Sequence, residues 1–104
     1  MLSLDSVFTS LADPTRRDIL KRVSLRELSV SEIARPYDLT FAAISKHLKV
    51  LEQAQLIVKR KRGKERMVQL APGALNDATE YLEWYGRLLK EQYRSLDNYI
   101  SKES

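Results

Sequence analysis

Two short amphipathic stretches, a tight turn between them and a basic hairpin after them occupy residues 29–70, and few folds accommodate that order. Ser29–Tyr37 is the first stretch, Asp38-Leu39 the turn and Thr40–Gln53 the second stretch. Ile57–Leu70 holds two short strands around Arg62-Gly63-Lys64. A helix preceded by a helix across a tight turn is the usual way to set side chains in a DNA major groove. Six of the eight residues from Lys59 to Arg66 are Lys or Arg. That hairpin carries the charge that phosphates demand.

The flanking segments read as helices. Leu4, Val7, Phe8 and Leu11 fall on one helical face of Leu4–Leu11. Asp13 suits the cap of a second helix, with Pro14 at its first position. Ile19, Leu20 and Val23 form its apolar stripe as far as about Leu25, and Arg16, Arg17, Lys21 and Arg22 are expected to be a solvated face. Ser29 with Glu32 three residues on is a capping box for the third helix, which Pro36 and Asp38 end. Thr40 caps the fourth. Ile44, Leu48 and Leu51 recur at i, i+4 and i+7 and define its buried face, so Ala42, Ser45, Lys46 and Lys49 point away. Gly63 supplies the positive φ of a tight hairpin, and Pro72-Gly73 breaks the sheet. From Ala74 to about Ile100 only Gly86 interrupts a helix. Leu75, Ala78, Leu82, Tyr85, Leu89, Tyr93, Leu96 and Ile100 recur at near-heptad spacing, flanked by Tyr81, Trp84 and Leu88. A helix of roughly 40 Å is too long for so small a domain to cover. The simplest cover is a second copy.

Composition narrows the classes. The 104 residues fit one domain, 1–104. No apolar run approaches the roughly 20 residues that span a bilayer, so no membrane partner is expected. Met1–Asp5 lacks the basic and apolar regions of a signal peptide. There is no cysteine, which excludes disulfides and thiolate metal sites and makes the cytoplasm the expected location. Charge is uneven: residues 1–66 hold 14 Lys/Arg and 8 Asp/Glu, residues 67–104 hold 4 and 6. A net +6 beside a net −2 favours a polyanion on one face and a different contact on the other.

Three motifs in order carry a family resemblance: Leu11–Leu20 (LADPTRRDIL), Glu27–Ala34 (ELSVSEIA) and Ile44–Leu51 (ISKHLKVL). With the hairpin Leu56–Leu70 and the closing helix they resemble the ArsR/SmtB winged-helix repressors over about residues 4–100. The resemblance implies a homodimer built from the first and last helices. It implies operator binding by the fourth helix and the wing, with a signal that releases repression. Many relatives sense metals through Cys-Val-Cys in the third helix, where this chain has Ser29-Val30-Ser31. A hydroxyl is a poor ligand for soft metals. Others bind zinc on the last helix through Asp and His, and here that helix has Asp77, Glu80 and Glu83 but no histidine. No metal and no cofactor are therefore expected, and no motif specifies a small-molecule or protein effector.

The expected fold is mainly α (α+β): a winged helix-turn-helix with a two-stranded wing (56–70), the helix-turn-helix at 29–53 and dimerisation helices at 4–11 and 74–100. Thr40, Phe41, Ala42, Ala43 and Ser45 are expected to face bases, and Lys46 and Lys49 to grip phosphates. His47, the single histidine, takes a phosphate or helix-edge role from the matching motif. Arg62 and Lys64 at the hairpin tip take the minor groove or phosphates. Leu4, Val7, Phe8, Leu11, Leu82, Tyr85, Leu89 and Leu96 form the expected dimer surface, to which the aromatics of the last helix belong rather than to a ligand pocket. The rival reading is a winged-helix protein-interaction module without DNA binding. The basic wing counts against it. No nucleophile–base pair, phosphate-binding loop or metal cluster supports an enzyme.

Overall fold

The computed structural model describes residues 4–103; Met1–Ser3, part of the leader reading, lie outside the described residues. Five helices and three strands follow in the order α1 (Leu4–Leu11), α2 (Pro14–Leu25), β1 (Leu28–Ser29), α3 (Val30–Ala34), α4 (Phe41–Gln53), β2 (Ile57–Arg62), β3 (Glu65–Leu70), α5 (Asn76–Glu103). Local chemistry sets most boundaries. Asp13 accepts the Arg16 N–H at 3.0 Å and Pro14 opens α2. Ser29 and Glu32 form the reciprocal capping box of α3. Thr40 accepts the Ala43 N–H to start α4. The end of α4 is a Schellman motif: Leu56 N–H reaches the Leu51 carbonyl and Gln55 N–H the Glu52 carbonyl, with Gln55 at φ 58°. No described helix is long and apolar enough to cross a membrane.

The sheet has one strand more than the sequence pattern suggests. Its order is β1-β3-β2, all antiparallel, with Leu28 opposite Val68 and Ser29 opposite Met67. Two residues offer no alternation to read, and β1 exists because β3 pairs with it. The sheet packs on the helices through Leu28, Ile57 and Val68, one residue from each strand, which join Ile19, Val23, Ile33, Ile44, Leu48, Leu51 and Leu56 in one core. Each such side chain contributes about 1.5–3 kcal/mol of burial.

Other expectations are corrected. α3 stops at Ala34 rather than near Tyr37: Pro36 has no N–H to continue it, and Tyr37 N–H closes a turn on the Ala34 carbonyl. The arginines of α2 are a solvated face only in part: Arg17 is exposed, Arg16 and Arg22 are half-buried, and all three bond helix ends. Arg16 donates to the Ser10 and Thr9 carbonyls and Arg17 to that of Leu11, so both close the C-terminus of α1. Arg22 donates to the Ile33 and Glu32 carbonyls and closes α3. Those carbonyls belong to helix ends and have no partner within their own helices. The Lys21 side chain remains as expected, exposed with no hydrogen bond or ion pair among the described residues.

α5 starts at Asn76, past the left-handed Gly73, and runs 28 residues, about 42 Å at roughly 1.5 Å per residue. Its first turns pack on the body: Ala78 is buried, Leu75 half-buried, and Tyr81 meets Phe8 edge-on with ring centroids 6.1 Å apart. Every described residue from Arg87 to Lys102 is exposed. The helix therefore projects, giving extents of 68 × 30 × 22 Å and a radius of gyration of 18.9 Å, against about 13 Å for a compact chain of this length.

Candidate nucleic-acid interface

The helix-turn-helix is held against α2 from one side. The Arg22 guanidinium lies over the Tyr37 ring, 5.6 Å from its centroid, while it bonds the end of α3. The Tyr37 hydroxyl donates to Asp18. Burial, with Asp18 beside it, pushes the Tyr37 phenol above its ordinary value. α4 then presents Ile44, Leu48 and Leu51 inward and its opposite face outward, as the i, i+4, i+7 pattern requires.

The expected reading residues have different exposures. Phe41 is 66% exposed, Ala42, Lys46 and Lys49 are exposed, and Ala43, Ser45 and His47 are half-buried. Thr40 is exposed, but its hydroxyl oxygen is engaged as the cap. His47 faces sideways, toward the start of α2, where Arg16 Nη1 stands 3.3 Å from its Nδ1.

The six cations of the wing divide into two groups. Arg60 makes a two-point contact with Glu27, Nε to Oε2 at 3.1 Å and Nη2 to Oε1 at 2.7 Å. Lys59 reaches Glu52 at 3.5 Å. Both are thus engaged within the chain. Lys61, Arg62, Lys64 and Arg66 are exposed, and no ion pair involves them among the described residues. Arg62 and Lys64 were anticipated from the sequence. Lys61 and Arg66 were not, yet the register sets them directly across from each other. Like charges opposite on facing strands are destabilising. Counting pairs outward from the Gly63 turn gives this register from sequence alone.

A groove of about 280 Å³ joins the two elements, lined by Ser29, Val30 and Ser31 of the α3 start, Phe41 of α4, and Lys64, Glu65 and Arg66 of the wing. Phe41 in the first turn of α4 and two of the unpaired cations, Lys64 and Arg66, therefore border one surface. Such a surface can meet phosphates with the wing and base edges with the helix. Among the described residues no three His, Cys, Asp or Glu side chains come together in a way that could hold a metal ion. Ser29 at the expected sensor position is buried and accepts the Glu32 N–H.

The residues expected to form a dimer surface also separate. Val7 is buried in the core of its own chain, and Leu4 and Leu11 pack partly against it. Phe8, Leu82, Tyr85, Leu89 and Leu96 are the exposed members, with Leu82 at 56% and Leu96 at 51%.

Residues 11–60 match a family model described as a helix-turn-helix domain. The chain is 42% identical over 73 residues to the HTH-type transcriptional regulator Rv2034 of Mycobacterium tuberculosis, covering 70% of this chain and 68% of that one. It is 29% identical to the transcriptional repressor SdpR of Bacillus subtilis, covering 76% of this chain and 88% of the repressor. The crystal structure of an ArsR family transcriptional regulator superposes with a TM-score of 0.78 at 32% identity, covering 84% of this chain and 90% of that one.

Proposed function

The chain belongs to the ArsR family of winged helix-turn-helix transcriptional regulators, and from that premise we infer that it is a homodimeric repressor of an operator with two-fold symmetry. It is a DNA-binding transcriptional regulator. One observation carries the finer reading: Phe41 at the exposed start of α4 borders a single groove with Lys64 and Arg66, two of the four unpaired wing cations. In this reading Phe41, Ala42, Ala43 and Ser45 read bases, with Phe41 and the alanines against thymine methyl groups. Thr40 starts the helix and its backbone approaches the duplex. Lys46, Lys49, Arg62 and Lys64 grip phosphates, joined by Lys61 and Arg66. His47 approaches the backbone from the side of α4.

The exposed apolar face of α5 supports the dimer. Tyr81, Leu82, Tyr85, Leu89, Tyr93 and Leu96 lie open on one projecting helix, and a run of exposed large apolar side chains of this kind marks an interaction surface. With Phe8 it forms an interface for a second copy. Two copies related by a two-fold axis set their α4 helices into successive major grooves, roughly 34–36 Å apart. Repression is supported by the likeness to a named repressor. Residues 1–104 act as one unit, in the cytoplasm, and no reaction is assigned to it.

Selection of bound duplexes from a random pool, followed by anisotropy at several salt concentrations, tests the reading. The expected result is an imperfect palindrome, bound with a steep loss of affinity as salt rises. Selection that returns no preferred sequence, or affinity indifferent to salt, would overturn it in favour of a protein-interaction module.

A further inference from the structure

The Arg16 side chain makes three bonds to two different elements. Its Nε donates to the Ser10 carbonyl at 2.8 Å and its Nη2 to the Thr9 carbonyl at 3.0 Å, both at the end of α1. Its Nη1 meets Nδ1 of His47 on α4 at 3.3 Å. The two α1 contacts fix the fork, so the third nitrogen is aimed rather than free to swing. The Arg16 backbone is fixed as well, since its N–H is the donor to the Asp13 cap.

Guanidinium has donors and no acceptor, and it stays charged in proteins. An imidazole nitrogen that faces it across a hydrogen bond must be the bare one. The ring proton of neutral His47 therefore sits on Nε2. No described residue bonds that nitrogen. Among the described residues no buried side-chain nitrogen or oxygen lacks a partner, so Nε2 opens to solvent. His47 lies one residue from the exposed Lys46 and two from the exposed Lys49, on the flank of the face assigned to DNA.

We propose that Arg16 is a positioning residue for DNA binding: it fixes His47 in the Nε2–H form and presents that N–H to a backbone phosphate. This rests on the reading, given above, that His47 approaches the duplex backbone. A neutral donor held in place adds a directional contact where Lys46 and Lys49 supply flexible charge. The same bonds tie the imidazole to the end of α1, so ring orientation depends on a helix outside the helix-turn-helix.

Nitrogen-15 NMR of the His47 ring in the full chain, above the range where imidazole is protonated, is the direct measurement. The expected spectrum is that of the Nε2–H tautomer. Arg16→Lys keeps the charge and removes the fork, and it should populate both tautomers. It should also weaken binding to a random-sequence duplex by a factor of about two to five, because only a fraction of the rings then holds the Nε2–H form in the right orientation. Glutamine sets an amide N–H near the place of Nε2 and asparagine near that of Nδ1. His47→Gln should therefore bind the duplex more tightly than His47→Asn, by about tenfold, the loss expected for one hydrogen bond to a charged group. Circular dichroism of each variant confirms that it is folded. A wild-type ring in the Nδ1–H form overturns the proposal, and so does an Arg16→Lys chain with unchanged tautomer and affinity. Equal affinity for His47→Gln, His47→Asn and wild type, with the Nε2–H tautomer observed, overturns it at the other step: Arg16 orients the ring, but the ring does not meet DNA.

Discussion

Lys61 stands directly across the wing from Arg66, two like charges on facing strands with no carboxylate paired to either among the described residues. Such a pair costs a hairpin about 0.2–1 kcal/mol. A neighbouring row of phosphates would turn the cost into attraction. Lys61→Thr should therefore raise stability by about 0.5 kcal/mol in urea unfolding. It should lower affinity for every duplex and reduce the slope of log affinity against log salt by about 0.9. Greater stability with an unchanged slope would mean that Lys61 does not reach DNA.

Arg22 tests how the helix-turn-helix is held. α3 has five residues and is too short to persist alone. Arg22 closes its end with two bonds of 2.8 Å and covers Tyr37. Arg22→Ala should destabilise the fold by about 2–3 kcal/mol, because two carbonyls lose a charged donor. Denaturant unfolding measures this, and a loss below about 0.5 kcal/mol would show that water replaces the arginine without penalty.

Gln55 carries the left-handed turn that ends α4, at φ 58°. A side chain there costs about 1–2 kcal/mol that glycine avoids, and the exposed Gln55 has no side-chain hydrogen bond among the described residues to lose. Gln55→Gly should raise stability by about 1 kcal/mol, a thermal shift of roughly 4–8 °C. A lower melting temperature would mean that the Gln55 side chain holds the α4–β2 connection.

The helix caps make stability depend on pH at the acid end. The Arg16 N–H lowers the Asp13 carboxyl below its ordinary value of 3.8, and the Ser29 N–H lowers Glu32 below 4.5. Both groups are more acidic folded than unfolded. Their contribution is therefore fully present above the unfolded values and is lost as pH falls through the folded ones. Tyr37 acts in the opposite direction. Its raised phenol contributes stability that is intact below 10.0 and is lost as pH climbs through the folded value. Melting temperature against pH should fall at both ends. Asp13→Asn, which keeps a capping side chain, should flatten part of the acid limb, and Tyr37→Phe part of the alkaline one. An unaltered acid limb in Asp13→Asn would remove Asp13 from this account.

Much of this arrangement is legible in sequence because its causes are local. The caps at Asp13, Ser29 and Thr40, the Gly63 turn and the spacing of Ile44, Leu48 and Leu51 each act within a few residues. The rest depends on partners distant in the chain. The two-residue β1 forms only because β3 lies beside it. The arginines of α2 look like a solvated stripe, since helical periodicity says nothing about carbonyls six to eleven residues away along the chain. Likewise, which wing cations are neutralised follows from Glu27 and Glu52, which lie outside the basic run. Val7 shows the limit of reading faces: one apolar stripe on α1 serves both the core and the exposed surface, and only the fold divides it.

The projecting half of α5 allows a clean test of the dimer. Leu96 is 51% exposed and lies in a stretch where every described residue from Arg87 to Lys102 is exposed. Leu96→Asp therefore disturbs little in one chain, where a carboxylate at that site stays in water. Between two α5 helices the same carboxylate would be buried without a partner, at a cost of several kcal/mol. Such a penalty at each of two symmetric sites is enough to separate most dimers. Light scattering should give twice the chain mass for wild type at micromolar concentration and the chain mass for Leu96→Asp, with the helical circular dichroism largely retained. DNA affinity should fall in the variant, because two half-sites are no longer bound as a unit. A wild-type chain that scatters as a monomer overturns the dimer. A dimeric Leu96→Asp moves the interface toward Phe8 and Leu82, nearer the body.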